Sequence, residues 1–257
     1  MFNSLSSAGF FQTNWIALAI FVIVLAVFNS YFISNFKLFS LLEEENWIDL
    51  TTYLEDRIYK KKQVRKSRIK MLLNAYLLTS NQEGTRKLEK FLAHKHQHMI
   101  DFFSLHFGIP YLLQNDPFEA EKFYSKMLAG SRVRYKNWLR WNYGLSLIQQ
   151  NQYESGKNEL MQLLTEDKDP ILLLLSLYIL KSYIKSYPDI ASQIITGVEK
   201  LKNDYNILTW RKMVENQKSN VQVLVLSKIV NQASDWLFSD AHLKENDTPA
   251  EQSELVH

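Results

Sequence analysis

The chain has no cysteine and little glycine or proline, with 7 glycines and 5 prolines among 257 residues. The missing cysteine excludes disulfides, thiol nucleophiles and cysteine-ligated metal sites. The scarcity of glycine and proline argues against collagen-like repeats, long flexible linkers and multi-stranded β folds. Hydrophobic residues make up 46% of the chain and charged residues 22%, as is typical of a folded protein. A formal net charge of +3 is small for a nucleic-acid-binding protein, so no nucleic-acid partner is expected.

Charged side chains are also absent from the segment 1–36. Within it, Trp15 to Ile33 forms an apolar run whose polar members are Asn29 and Ser30. A helix of this length, at about 1.5 Å per residue, crosses the roughly 30 Å core of a bilayer. A cleaved signal peptide is the alternative, but it would have a basic start and a shorter apolar core. The sequence therefore predicts an N-terminal segment, 1–36, with one uncleaved transmembrane helix at about 15–33, located in the inner membrane.

The stretch 103–128 has the pattern of two helices joined by a turn. Its apolar residues recur at intervals near 3.6, which is the period of a helix rather than of a strand. Asp116 and Pro117 separate the two runs; aspartate can cap a helix, and proline suits its first position. Gly108 in the first helix and Ala120 in the second would let the two helices approach closely.

Small residues return through the chain about every 36 residues. One series comprises Gly84, Ala120, Gly156 and the pair Ala191 and Ser192, and a second comprises Gly108 and Gly144. Such a period is typical of a solenoid, in which each helical hairpin buries its apolar face against its neighbours. A small residue, a turn aromatic and a second small residue, here Gly144, Tyr153 and Gly156, resemble the tetratricopeptide repeat family, whose period is about 34. Pro110 departs from that pattern and should kink or shorten its helix.

This resemblance implies an all-α fold, with a helical-hairpin solenoid over 37–204 after the transmembrane helix. In that family the first helices of the hairpins line a concave groove, which would accept an apolar or amphipathic helix of a protein partner. The side chains predicted to line the groove are Phe102, Leu105, Ile109, Trp138, Trp141 and Leu145.

A basic block without acidic residues follows the start of the solenoid. It consists of Arg57, Lys60, Lys61, Lys62, Arg65, Lys66, Arg68 and Lys70. Three interpretations remain open for it: a solvated surface, adsorption to anionic lipid headgroups, or contact with an acidic protein.

The histidines invite a metal hypothesis. His94 and His98 are four residues apart and would share a helix face if a helix continued there. However, His96 and its neighbours lie at the predicted end of a hairpin, with no carboxylate at ligand spacing. A surface turn is predicted instead, and no metal is expected.

The C-terminal third is predicted to close the array. The run 171–180 is too short to span a bilayer and is predicted to be a buried helix beginning near Pro170. Residues 205–238 are predicted to form capping helices over the last apolar face. Residues 239–257 are polar and mostly acidic, and are predicted to be disordered.

No phosphate-binding glycine loop, nucleophile elbow or cofactor fingerprint is present, so neither an enzyme nor a cofactor is expected. The first hypothesis is a membrane-anchored scaffold that assembles protein partners, with multiple copies or homo-oligomers conceivable. Residues 41–62 and 68–92 also resemble the anchored repeat proteins that build the periplasmic collar of the spirochaete flagellar motor. That resemblance implies a periplasmic location for 37–257. The alternative is a regulatory or adaptor subunit of an enzyme or transport machine, with a cytoplasmic solenoid and the basic block on lipid.

Overall fold

The computed structural model describes residues 6–114, 116–130, 132–183 and 186–239, with side chains from Trp15 onward. The regular structure in these ranges is helical throughout, which confirms the all-α prediction. The α-helices are α1 Ser6–Glu43, α2 Trp47–Glu55, α3 Lys66–Leu78, α4 Gln82–Ala93, α5 Gln97–Phe102, α6 Ser104–Leu113, α7 Pro117–Ala129, α8 Lys136–Gln149, α9 Tyr153–Glu166, α10 Pro170–Leu180, α11 Ala191–Asp204, α12 Ile207–Asn216, α13 Val221–Val225 and α14 Ser227–Phe238. The chain divides into two compact units, Met1–Gln82 and Glu83–His257.

The first unit begins with the long apolar helix α1. Its segment Trp15–Glu43 is long and apolar enough to cross a membrane, with a mean hydropathy of 2.6 in its most apolar window, none of which is buried. The prediction of one N-terminal apolar helix is confirmed. The helix passes the predicted boundary at residue 36 without interruption and ends at Glu43.

The rest of the first unit packs on the last turns of α1. Leu38 and Leu41 of α1 are buried, and α2 lies against this part of the helix. The predicted apolar stripe of α2 is confirmed, because Leu50, Leu54 and Ile58 are at most 1% exposed. A π-helical turn, Asp56–Lys60, extends α2, and α3 then packs against α2.

In the second unit, consecutive helices pack in the order of the sequence. From α6 to α11 each helix contacts the next one along the chain, and α8 also contacts both α6 and α10. The predicted turn between α6 and α7 is confirmed: the Asp116 side chain accepts a hydrogen bond from the Glu119 backbone at 3.2 Å, and Pro117 is the first residue of α7. Each of these helices therefore buries apolar residues against its sequence neighbours.

Small residues bring α8 and α9 together. A Cβ atom on Gly156 would lie 2.8 Å from the carbonyl oxygen of Gly144 and 2.5 Å from Cγ1 of Ile148. In the α6–α7 pair, the predicted contact at Gly108 is made with an aromatic ring: the Tyr124 hydroxyl donates a hydrogen bond to the Gly108 carbonyl at 3.0 Å. The predicted close approach is present at Gly144 and Gly156, whereas the space beside Gly108 is filled by the Tyr124 ring rather than by the backbone of α7.

The structure corrects the predicted effect of Pro110. This residue lies inside α6, which continues through it to Leu113. The interruption falls upstream, at Phe103, which separates α5 from α6. Pro110 lies beyond the first turn of α6, so its missing N–H costs one intrahelical hydrogen bond, and the helix ends one turn later at Leu113.

α10 is the apolar centre of the second unit. It starts at Pro170 as predicted, and its residues Ile171, Leu172, Leu174 and Leu175 are fully buried. α14 packs against α10 and α11, and α13 packs against α6. The C-terminal helices α13 and α14 thus cover parts of α6, α10 and α11. The role of 205–238 as the cap of a solenoid stays a prediction. Apart from Ser239, the predicted disordered tail lies outside the described residues.

Candidate functional site

The predicted groove belongs to the end of α5 and to α6 and α8, and the structure buries most of it. Four of its six side chains are at most 5% exposed: Leu105, Ile109, Trp138 and Trp141. Phe102 and Leu145 are half-buried. These side chains therefore do not form the open groove that the repeat resemblance implies.

The groove is closed by the chain's own helix α13. The side chain of Gln222 is fully buried, and its Nε2 atom donates a hydrogen bond to the carbonyl oxygen of Leu105 at 3.4 Å. Its Oε1 atom accepts a hydrogen bond from Nδ2 of Asn142, in α8, at 3.2 Å. Val221 and Val223 are buried on either side of it. The predicted groove is thus covered by α13 at Leu105, and its binding of a partner helix stays a prediction.

The basic and aromatic side chains around α8 are engaged within the protein. Arg140 makes ion pairs with Glu166 at 2.8 Å and Glu159 at 3.4 Å. The Trp138 ring donates a hydrogen bond to Oδ2 of Asp169 at 3.0 Å, and Asp169 also caps α10. Burial raises the pKa of the Asp169 carboxyl, and these hydrogen bonds act in the opposite direction. These contacts join α8 to α9 and α10. The Arg140 guanidinium is ion-paired with two carboxylates of the protein itself.

The basic block does not behave as one uniform surface. Lys60 and Lys61 both pair with Asp56, at 3.2 and 3.5 Å. Arg57, by contrast, lies over the ring of Tyr53, with its Cζ atom 5.2 Å from the ring centre. Arg68 has a buried Nη1 atom without a hydrogen-bond partner. Within the block, Lys60 and Lys61 are therefore ion-paired, whereas Arg57 and Arg68 form a separate group near Tyr53.

A buried tyrosine–glutamate contact stabilises the first unit. The hydroxyl of Tyr76 donates a hydrogen bond to Oε1 of Glu55 at 2.6 Å, and Tyr76 is 1% exposed. Burial, followed by this hydrogen bond, raises the pKa of the Tyr76 hydroxyl. The phenol consequently stays protonated and acts as a donor that fixes α3 against α2.

A second contact of this kind lies in the other unit. The hydroxyl of Tyr111 donates a hydrogen bond to Oε2 of Glu89 at 3.0 Å, and the Arg86 guanidinium lies 5.0 Å from the Tyr111 ring centre. Burial raises the pKa of the Glu89 carboxyl, while the hydrogen bond from Tyr111 opposes the shift. The first contact joins α3 to α2, and the second joins α6 to α4.

His94 and His96 lie in the α4–α5 turn, as predicted, and His98 is the second residue of α5. His94 and His98 are exposed, and His96 is half-buried immediately before α5. Within the described ranges, no three histidine, cysteine, aspartate or glutamate side chains come together in a group that could hold a metal ion.

Two features were missed from the sequence. Gln222 and Asn142 are 80 residues apart, and no spacing rule relates them. Tyr53 and Lys37 approach each other, with Nζ of Lys37 5.9 Å from the ring centre. The apolar pattern of α2, which orients Tyr53 toward the side of α1, was the available signal for this second contact.

Comparison with known proteins identifies relatives in one genus. A family model described as an uncharacterised Treponema protein matches residues 84–239, which lie within the second unit. A protein of Treponema pallidum (strain Nichols), described as uncharacterized, is 24% identical over 231 residues, covering 85% of this chain and 74% of the relative. No solved structure matches the chain.

Proposed function

We propose that this chain, which belongs to the family described as an uncharacterised Treponema protein, is a noncatalytic, membrane-anchored scaffold that assembles protein partners into a larger complex. The observation that carries the proposal is the form of α1. Its apolar window is entirely exposed, and the same helix runs without a break to Glu43, where its last turns pack on α2. A helix with this surface is stable in lipid, and its continuity holds the first unit close to the bilayer.

The packing order of the second unit supports a tetratricopeptide-like solenoid. In such an array each helix contacts its sequence neighbours, and successive first helices contact each other. The contacts of α6 through α11, and those of α8 with α6 and α10, follow this order. Gly144 and Gly156, at the predicted repeat positions, face each other across the α8–α9 pair. Helical arrays of this kind commonly present extended surfaces to other proteins.

The narrower proposal is a component of the periplasmic collar around the spirochaete flagellar motor. It rests on the resemblance of residues 41–62 and 68–92 to anchored collar proteins. In this arrangement residues 37–257 are periplasmic and α1 holds them to the inner membrane.

Affinity capture after reversible cross-linking tests the scaffold role. The full chain, tagged at its C-terminus, is expressed in its own organism, cross-linked, extracted in mild detergent and captured. The proposal expects at least one other membrane or periplasmic polypeptide in stoichiometric amounts. A matched chain whose α1 is replaced by an unrelated single-pass helix separates partners of the helical units from partners of the anchor. Recovery of the chain alone, with cross-linking demonstrated on a known complex, would contradict the scaffold role.

An alternative function, supported by the arginines near Tyr53, is a regulatory or adaptor subunit on the cytoplasmic side, with its basic block on lipid. Membrane topology distinguishes it from the collar proposal. Since the chain has no cysteine, Ser219→Cys adds a single exposed thiol in the turn between α12 and α13. An impermeant maleimide applied to spheroplasts labels this thiol if the second unit is periplasmic and leaves it unlabelled if the unit is cytoplasmic. Ser176→Cys, fully buried in α10, is the control and should react only after denaturation.

A further inference from the structure

The point where α1 leaves the membrane carries an isolated cation. Lys37 is exposed and lies four residues beyond Ile33, the end of the apolar run. At about 1.5 Å per residue, this places it about 6 Å beyond the hydrocarbon edge. The headgroup layer on each side of a bilayer is roughly 5–8 Å thick. Lys37 therefore lies at the level of the lipid headgroups.

Tyr53 connects this position to the basic block. α2 packs against α1, which brings the Tyr53 ring within 5.9 Å of Nζ of Lys37. The π-helical turn that follows α2 places Cζ of Arg57 5.2 Å from the same ring. One aromatic ring thus has two cations around it, both held near the membrane surface by packed helices.

A third cation, Arg68 of α3, lies close enough to Arg57 and Tyr53 for their charges to act on it. The loop before α3 folds back, with Lys62 in the left-handed region at φ 54° and the Gln63 backbone N–H donating to the Arg57 carbonyl at 3.0 Å. Nη1 of Arg68 is buried without a hydrogen-bond partner, and so is Oε1 of Gln63. Burial lowers the pKa of the Arg68 guanidinium, and the charges of Arg65 and Arg57 lower it further.

The nearby carboxylates do not neutralise these arginines. Asp56 forms ion pairs with Lys60 and Lys61, and Glu55 accepts a hydrogen bond from the hydroxyl of Tyr76. Across the described ranges, the ion pairs of the structure include none between a carboxylate and Arg57 or Arg68. Guanidinium groups hydrogen-bond phosphate oxygens through their planar fork, and a partly buried donor without a partner favours such an acceptor. Arg57 and Arg68 therefore keep their positive charges without a carboxylate ion pair among the described residues.

We propose that Lys37, Arg57 and Arg68, arranged around the Tyr53 ring, bind the phosphate of an anionic lipid headgroup in the leaflet where α1 emerges. The site lies wholly in the first unit. It uses the membrane anchor of the proposed function but not the scaffold role. Bound lipid would hold α2 and α3 at the bilayer surface and so restrict the orientation of the unit.

Lipid titration of the full chain in an uncharged detergent tests the site, with native mass spectrometry counting the lipids retained. The probes are phosphatidylglycerol, phosphatidylcholine and inorganic phosphate. The proposal expects one phosphatidylglycerol molecule to be retained at least about tenfold more tightly than phosphatidylcholine, with no competition from millimolar phosphate. Loss of two cations at such a surface corresponds to roughly 30-fold weaker binding, which is the effect expected for Arg57→Gln with Arg68→Gln.

The matched control is Lys60→Gln with Lys61→Gln, which removes the same net charge from the same block. These lysines pair with Asp56, so their replacement should change binding by less than about threefold. Lys37→Gln changes an exposed residue of α1 and tests the site even if the arginine variant folds poorly; it should weaken binding roughly fivefold. Equal losses in the arginine and lysine pairs, equal retention of the two lipids, or displacement by phosphate alone would each overturn the proposal.

Discussion

Individual glycines determine how closely the helices of the second unit approach. Gly144 and Gly156 face each other across α8 and α9, where even one Cβ atom would contact backbone. The period of about 36 residues identified these positions in the sequence, because a side chain cannot be accommodated where two helix backbones nearly touch. Gly108 shows the limit of that reasoning. Its space is taken by the Tyr124 ring, and a period does not specify which neighbour fills the space.

The contact at Gly156 predicts a destabilising effect for Gly156→Ala. Its Cβ atom would meet Ile148 and the Gly144 carbonyl, and we expect a loss of about 1–3 kcal/mol in the free energy of unfolding. Gly197→Ala is the matched control, since its Cβ atom meets the flexible end of Leu177 and alanine favours the helix. Urea unfolding in mild detergent, followed by tryptophan fluorescence, measures both. Equal stability of the two variants would contradict the close approach.

Glu89 predicts a pH dependence. Its folded-state pKa is raised above the ordinary value of 4.5, chiefly by burial, while Tyr111, Lys126, Arg86 and Lys90 oppose the shift. For a carboxyl with a raised pKa, the contribution to stability is most favourable below 4.5 and is lost as the pH rises through the folded-state pKa. Glu89→Gln keeps an acceptor for the Tyr111 hydroxyl. Because glutamine does not ionise, the variant should not lose stability as the pH rises through the folded-state pKa of Glu89.

The measurement is the free energy of unfolding at several values between pH 4 and pH 7. We expect the stability of Glu89→Gln relative to the original chain to increase with pH over this interval and then to level off. The exposed Glu83→Gln on the same helix serves as the control and should show no such trend. If the stability of Glu89→Gln relative to the original chain fell as the pH rises, the raised pKa of Glu89 would be contradicted.

At the scale of elements, the unexpected feature is α13. Five residues long, it covers α6 and inserts Gln222 between that helix and α8. Helix pairs such as α6–α7 could be predicted because their boundaries depend on local chemistry, the Asp116 cap and Pro117. The position of α13 could not, because so short a segment has no measurable period and its partners are distant in sequence. For this reason the covering of the groove residue Leu105 by α13 could not be predicted.

The Gln222–Asn142 hydrogen bond should couple α13 to α8. Removing either side chain leaves the other buried without its partner, so we expect Gln222→Ala and Asn142→Ala each to cost roughly 1–3 kcal/mol. Because they share one interaction, the double variant should be more stable than the sum of the two losses predicts, by roughly 0.5–3 kcal/mol. Hydrogen exchange at Val221–Val225 would accelerate in each variant.

Gln149→Ala is the control for this cycle, since Gln149 is exposed at the end of α8. It should change the free energy of unfolding by no more than about 0.5 kcal/mol. Hydrogen exchange in α13 should be unchanged. Strictly additive losses at Gln222 and Asn142, with unchanged exchange in α13, would mean that the contact does not hold this helix.

At the scale of the whole molecule, the sequence was most informative about composition-driven features. The all-α class and the N-terminal apolar helix follow from periodicity and from an uncharged run, and both are present. The extent of α1 was less predictable. Its apolar run ends near Ile33, but Leu38 and Leu41 continue the helix because α2 covers them. The lipid site depends on the same tertiary contact, which places Tyr53 beside α1 and divides a uniform-looking basic block into two groups.

The central claim is that α1 stays attached and holds the helical units at a membrane. The direct measurement is mass spectrometry of the mature protein recovered from membranes after washing at high pH, which removes peripheral proteins. The account predicts that the chain remains in the membrane pellet and that peptides spanning Trp15–Glu43 are present in stoichiometric amounts. Recovery of a shortened chain without those peptides in the soluble fraction would identify α1 as a cleaved signal sequence and contradict the account.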